Sequence, residues 1–120
     1  MKVIISSTGS GMDSEVDEKF GRCPFFILAE IEDKKIKKWE GIENTSEKQM
    51  TSAGTTAAQL VADMGTDVII TGNMGPRAFD VFRQLDIEVY EGKGSIRKAL
   101  KDFTEGRLKR MESARCPKSA

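Results

Sequence analysis

The 120-residue sequence contains no histidine. That excludes a Ser–His or Cys–His nucleophile pair and the usual histidine-bearing zinc sites. Cysteine is nearly as scarce, with Cys23 and Cys116 the only two. One chain therefore cannot supply four cysteinates to a zinc ion or an iron–sulfur cluster, and no structural disulfide is expected in a reducing compartment. An excess of charge of one sign is missing too: Lys plus Arg and Asp plus Glu number 19 each. Nothing in that balance draws the chain to nucleic acid or to a membrane surface. There is no apolar run of membrane-spanning length. Val3-Ile4-Ile5 gives way at once to Ser6 and Ser7, far too soon for the core of a secretory signal, so the expected compartment is the cytoplasm. No Gly-Lys-Ser/Thr phosphate loop occurs. Gly9-Ser10-Gly11 fails as a dinucleotide fingerprint, because Ser14 stands at its sixth position and no strand-to-helix unit follows.

What is present is the composition of one globular domain with a densely charged surface, 38% apolar and 32% charged. Residues 2–7 read as a strand buried on both faces. Turn formers at residues 8–13 break it, and a polar connection runs on to Gly21; loops of this length tend to be functional. Residues 25–31 form a second apolar strand, and residues 36–40 a weaker, lysine-bearing one near a sheet edge. Residues 43–52 read as a flexible loop. The period then changes: Ala57, Leu60, Val61 and Met64 share one helical face, with Thr51 or Ser52 to cap the start and Gly65 to end it. Residues 67–71 form a buried strand. Pro76 suits a first helical position, and Ala78, Phe79, Phe82 and Leu85 give that helix its apolar face. A short strand at 87–90 precedes a helix capped by Ser95, with Ile96, Ala99, Leu100 and Phe103 facing inward and Gly106 at its end. From Lys109 the pattern dissolves into a loose tail. The succession is β-β-β-α-β-α-β-α, an α/β domain.

In open α/β sheets ligands collect beyond the carboxyl ends of parallel strands. Three glycine-bearing segments are expected there, at residues 8–13, 72–77 and 91–95. The last two open helices, whose first N–H groups favour an anion. Gly9, Gly11, Gly72, Gly75, Gly92 and Gly94 would let a ligand approach the backbone, or serve simply as tight turns. Arg22 beside Cys23 could favour the thiolate; the other reading of Cys23 is a small buried hydrophobe. Met12, Met50 and Met74 are loop thioethers. Asp13, Asp17 and Glu18 are hard-cation candidates or solvated loop charges.

Three stretches carry a family resemblance. Gly11-Met12-Asp13-Ser14, Val16-Asp17 and Phe20-Gly21-Arg22-Cys23-Pro24-Phe25-Phe26 together resemble the opening signature of the dinitrogenase iron–molybdenum cofactor biosynthesis family, the NifX and NifB C-terminal-like domain. Ile69-Ile70-Thr71-Gly72-Asn73-Met74-Gly75-Pro76-Arg77-Ala78-Phe79 is similar to its second signature, and Val89-Tyr90-Glu91-Gly92 with the Ser95 helix to its third. The resemblance spans residues 1–108 and leaves 109–120 as a tail. It implies a ribonuclease-H-like three-layer α/β/α sandwich whose five-stranded mixed sheet has the order 3-2-1-4-5. It implies a cytoplasmic carrier or scaffold, not an enzyme. The cargo would be an iron–sulfur or iron/molybdenum–sulfur cluster, transiently bound and passed between donor and acceptor proteins, with no nucleic-acid or membrane partner. Relatives in that family include nitrogenase cofactor carriers and a molybdenum–copper–sulfide protein. The residues expected to hold the cargo are Gly9, Gly11, Asp13, Arg22, Cys23, Gly72, Asn73, Met74, Gly75 and Arg77, with Cys23 as the metal ligand. The lack of histidine rules out histidine ligation. A preassembled cluster brings its own sulfides, so one thiolate, one arginine and several N–H groups could suffice. The other reading is a small-anion or nucleotide-binding module using the same loops, without catalysis.

Overall fold

A computed structural model describes residues 1–44 and 53–112. Thr51, Ser52, Met50 and Cys116, singled out above, lie outside the described residues. The elements are β1 (Lys2–Ser7), β2 (Phe25–Glu32), β3 (Lys35–Glu43), α1 (Ala53–Asp63), β4 (Val68–Thr71), α2 (Pro76–Gln84), β5 (Glu88–Glu91), α3 (Ile96–Thr104) and β6 (Lys109–Arg110). They form one sheet of order β3-β2-β1-β4-β5-β6. β1, β4 and β5 run parallel, whereas β2, β3 and β6 are each antiparallel to a neighbour. Sequence and resemblance led to five strands in the same order; the sixth is β6.

That sixth strand corrects the expected tail. Met111 N–H donates to the Val89 carbonyl at 2.7 Å, and the Met111 side chain is buried against the core. A two-residue strand has no period to read, and a lone methionine among charges gives no pattern. The loop expected over residues 43–52 does not begin at residue 43, and its residues 45–52 lie outside the described residues. β3 continues through Glu43, and the next residue, Asn44, is buried.

The alternation of the strands divides the core between two faces of the sheet. Ile4, Phe26, Ile69 and Val89 join Ala57, Ala58 and Val61 of α1 and Ala78, Phe79 and Phe82 of α2. Val3, Ile5, Ile27, Val68 and Ile70 join Ile96, Ala99 and Leu100 of α3. The helices thus cover both sides, which is why β1 and β4 read as unbroken apolar runs. Gly65 and Gly106 end α1 and α3 with positive φ, at 74° and 73°, as only glycine does without strain. Leu85 does not join the apolar face of α2; it is the C-cap and stands exposed.

Candidate functional site

The parallel strands β1, β4 and β5 point their carboxyl ends the same way, and the 8–24 connection crosses those ends as a strap. Ser7 bridges Val16, Lys19 bridges Asn73, and Glu15 bridges Ser95. Hydroxyls fix the crossing. Ser6 Oγ donates to the Asp17 carbonyl at 2.8 Å and sits 2.7 Å from Thr71 Oγ1. Ser6 and Thr71 are fully buried, so these bonds satisfy groups that would be costly to strand. Asp17 N–H donates to Ser6 O, and Gly72 N–H to Asp17 O. A Cβ on Gly72 would press on Glu18 Cα, so the close crossing of the strap requires glycine at this position.

The strap also closes α3. Ile96 N–H donates to Ser14 O at 2.8 Å and Arg97 N–H to Met12 O at 3.1 Å, while Ser95 Oγ accepts from Lys98 N–H. The first donors of this helix are therefore spent within the chain, and the expectation of an anion site at its start fails. The reason is Met12, whose side chain is buried among Ile96, Ala99 and Leu100 and draws the loop down onto the helix.

What remains open is a groove of about 690 Å³. Thr8 lines it from the end of β1, Gly72 and Asn73 from the end of β4, and Glu91 to Gly94 from the end of β5. The strap adds Glu15, Asp17, Glu18, Lys19 and Arg22. Cations Lys19, Arg22 and Lys93 thus face a cavity that also carries four carboxylates. One of these is already engaged: Asp17 Oδ1 accepts from Lys19 N–H at 2.8 Å. A second groove of about 420 Å³ lies between α2, β5 and β6, but at the amino end of β5, where such sheets seldom bind.

The groove brings together Arg22, Gly72 and Asn73 of the residues expected from the sequence. Gly9 and Gly11 lie in the loop beyond Thr8, outside the lining. Asp13 is exposed and pairs with Arg97 at 3.5 Å. Met74 is buried in the core, so its thioether faces helices and not the groove. Gly75 is the N-cap of α2 at φ −69°, where a Cβ would meet nothing within 4 Å, and Arg77 is exposed on the first turn.

Cys23 departs furthest from expectation. Its position is right, beside the end of β1, because β2 runs antiparallel and Ser7 pairs with Phe25. Its chemistry is not that of a thiolate. The side chain is fully buried, and Sγ donates to the Phe20 carbonyl at 3.2 Å. Burial pushes the thiol up to about 12, against weaker opposing hydrogen bonds from the Ser7 backbone and Asn44. Arg22, its sequence neighbour, lines the groove and is exposed.

The sequence profile of a family described as dinitrogenase iron-molybdenum cofactor matches residues 1–106. The chain belongs to that family. An uncharacterized protein of Methanocaldococcus jannaschii is 45% identical over 101 residues, covering 83% of this chain and 86% of its own. Among solved structures, the apo form of the orange protein from Desulfovibrio gigas superposes with a TM-score of 0.88 at 27% identity, covering 96% of each chain. A Thermotoga protein provisionally assigned as NifB gives 0.77 at 29% identity and 91% coverage of each.

Within this dinitrogenase iron-molybdenum cofactor domain, two structural contributors escaped the sequence reading. Asn44 donates from Nδ2 to Gly21 O at 3.2 Å and to Cys23 O at 2.7 Å, holding the end of the strap. A polar residue at the head of a polar stretch carries no signal of burial. Lys93 of the groove lay in a segment singled out for its glycines; its charge was the signal available. Among the described residues there is no group of three or more histidine, cysteine or carboxylate side chains able to hold a metal ion, and no helix long and apolar enough to cross a membrane.

Proposed function

We propose that this chain is a non-catalytic carrier or scaffold that holds a preformed metal–sulfur cluster in the strand-end groove and hands it on during cofactor assembly. Membership of the dinitrogenase iron-molybdenum cofactor family supports the role. The observation that carries the site is the groove itself: it gathers Lys19, Arg22 and Lys93 with the backbone of residues 72–73 and 91–94 where the three parallel strands end. A cluster with its own sulfides is an anion and needs charge and hydrogen bonds more than protein ligands. Such contacts exchange readily, as transfer requires. The carboxylates Glu15, Glu18 and Glu91 lower the anion affinity and favour release. Cys23 has no direct part, since its neutral, buried thiol is a poor ligand.

Anaerobic incubation with a preformed thiomolybdate anion, or with iron, molybdate and sulfide, tests this. Stoichiometric metal and sulfide retained through gel filtration, with visible absorbance, supports the reading. A protein that stays colourless yet binds phosphate or nucleotides in the same groove would replace it with the small-anion alternative.

A further inference from the structure

The two edges of the sheet differ greatly. One is β6, two residues long. The other is β3, nine residues long with eight exposed. Long open edges are templates for another strand, and proteins blunt them with short strands or lysines. β3 carries lysines, but in an uneven pattern: Lys35, Lys37 and Lys38 precede Trp39, and Glu40 and Glu43 follow it.

Asn44 N–H donates to Pro24 O, and the ladder from Phe25↔Glu43 to Glu30↔Lys38 is regular. Residues 38, 40 and 42 therefore bond to β2, and Trp39, Gly41 and Glu43 turn their N–H and C=O groups outward. The register slips between Glu30 and Ile31, so Ile36 lies opposite Ile31 on the same face as Trp39, which lies opposite Ala29. These two are among the exposed large hydrophobic residues, at 38% and 44%.

We infer that β3 is a self-complementary edge that pairs antiparallel with β3 of a second copy of this chain, about a two-fold axis through Trp39. In that register the two Trp39 residues exchange backbone hydrogen bonds and lie side by side, flanked on the same face by both Ile36 side chains. On the other face Lys38 of each copy stands opposite Glu40 of its partner. The lysine end of each strand runs beside the glutamate end of the other. Parallel pairing would instead set lysine against lysine. Lys38 already reaches its own Glu30 at 2.9 Å, so each Lys38 would sit between two carboxylates. The interface is isologous and closed. A two-fold perpendicular to the sheet reverses the strand direction, so the two strand-end grooves open at opposite ends and stay accessible. The inference does not depend on what the groove binds. One strand pair is a small interface, so association should be weak, with a dissociation constant on the order of 10⁻⁵ to 10⁻⁴ M.

Sedimentation equilibrium over a wide concentration range tests it, with emission of Trp39, the sole tryptophan, as a second readout. The expected result is a monomer–dimer equilibrium, weakened by salt, with Trp39 emission shifting to the blue on association. Trp39→Pro removes an outward N–H and no β2 bond, and should give a folded monomer throughout. Lys38→Glu and Glu40→Lys should each weaken the dimer about tenfold or more, and an equimolar mixture should restore it, because the mixed pair places each Glu opposite a Lys. A parent that stays monomeric at millimolar concentration, a dimer indifferent to Trp39→Pro, or charge variants whose mixture does not re-associate would each overturn the inference.

Discussion

The parallel half of the sheet and the β2–β3 hairpin half are built to opposite rules. At the carboxyl ends of β1, β4 and β5, the backbone of the strap is bound within the chain: Ser6 and Gly72 hold Asp17, and Met12 and Ser14 cap α3. What stays open is a groove whose walls are fixed. Across the sheet, β3 leaves its outer backbone groups and Trp39 toward solvent. The lesson is that glycine-rich loops do not by themselves mark ligand contact. Gly72 serves the crossing of the strap and Gly92 the packing on Ile70, while charged residues Lys19, Arg22 and Lys93 line the groove.

The sharpest contrast lies between two glycines. Gly92 is buried, and a Cβ there would overlap Ile70 Cγ2. Gly92→Val should cost about 3 kcal/mol through overpacking. Gly75→Ala, at the open N-cap of α2, should cost under about 1 kcal/mol. Urea denaturation of both variants checks this, and equal losses would break the distinction between scaffold and surface glycines. Next in size is Asn44→Ala, which strands the buried carbonyl of Cys23 and the half-buried one of Gly21; about 2 kcal/mol should be lost. If the stability is unchanged, Asn44 does not anchor the strap.

A further effect depends on pH. The Cys23 thiol is held at about 12 in the folded chain against 9.0 when unperturbed. Below pH 9 it is neutral folded or unfolded and has no effect on stability. Above that, the unfolded chain releases the proton while the native chain keeps it, so stability falls by up to about 1.4 kcal/mol per pH unit until the folded group also ionises. In a Cys116→Ser background, stability measured from pH 8 to 11 should decline less steeply for Cys23→Ala than for the parent. Parallel curves would show that the buried thiol is not linked to folding.

Much of this was legible in the sequence. The apolar runs of β1, β2 and β4, the 3.6-residue spacing of α1 and α2, and the stops at Gly65 and Gly106 gave elements within a residue or two. The strand order came from the resemblance. What escaped were features that long-range contact creates: β6, whose two residues have no period; Asn44, polar by composition and buried by tertiary packing; and Leu85, whose helical spacing continued one position beyond the helix. The candidate groove lies where the sequence reading expects a site, at the carboxyl ends of the strands, but with only some of the expected residues in its lining. Arg22, Gly72 and Asn73 do meet in the groove. Met74 and Cys23 turn inward, because adjacency in sequence does not say which of two neighbouring side chains, Arg22 or Cys23, takes the solvent side.

That pair provides the most direct test of the groove as the cargo site. Arg22→Glu, Lys93→Glu and Cys23→Ser would be compared with the parent for anaerobic uptake of a preformed thiomolybdate anion, each confirmed folded by circular dichroism. The account expects each charge reversal to weaken retention about tenfold, near 1.4 kcal/mol, and Cys23→Ser to bind as the parent does. Retention lost in Cys23→Ser but kept in both charge reversals would contradict it and place the thiol, not the groove, at the centre of binding.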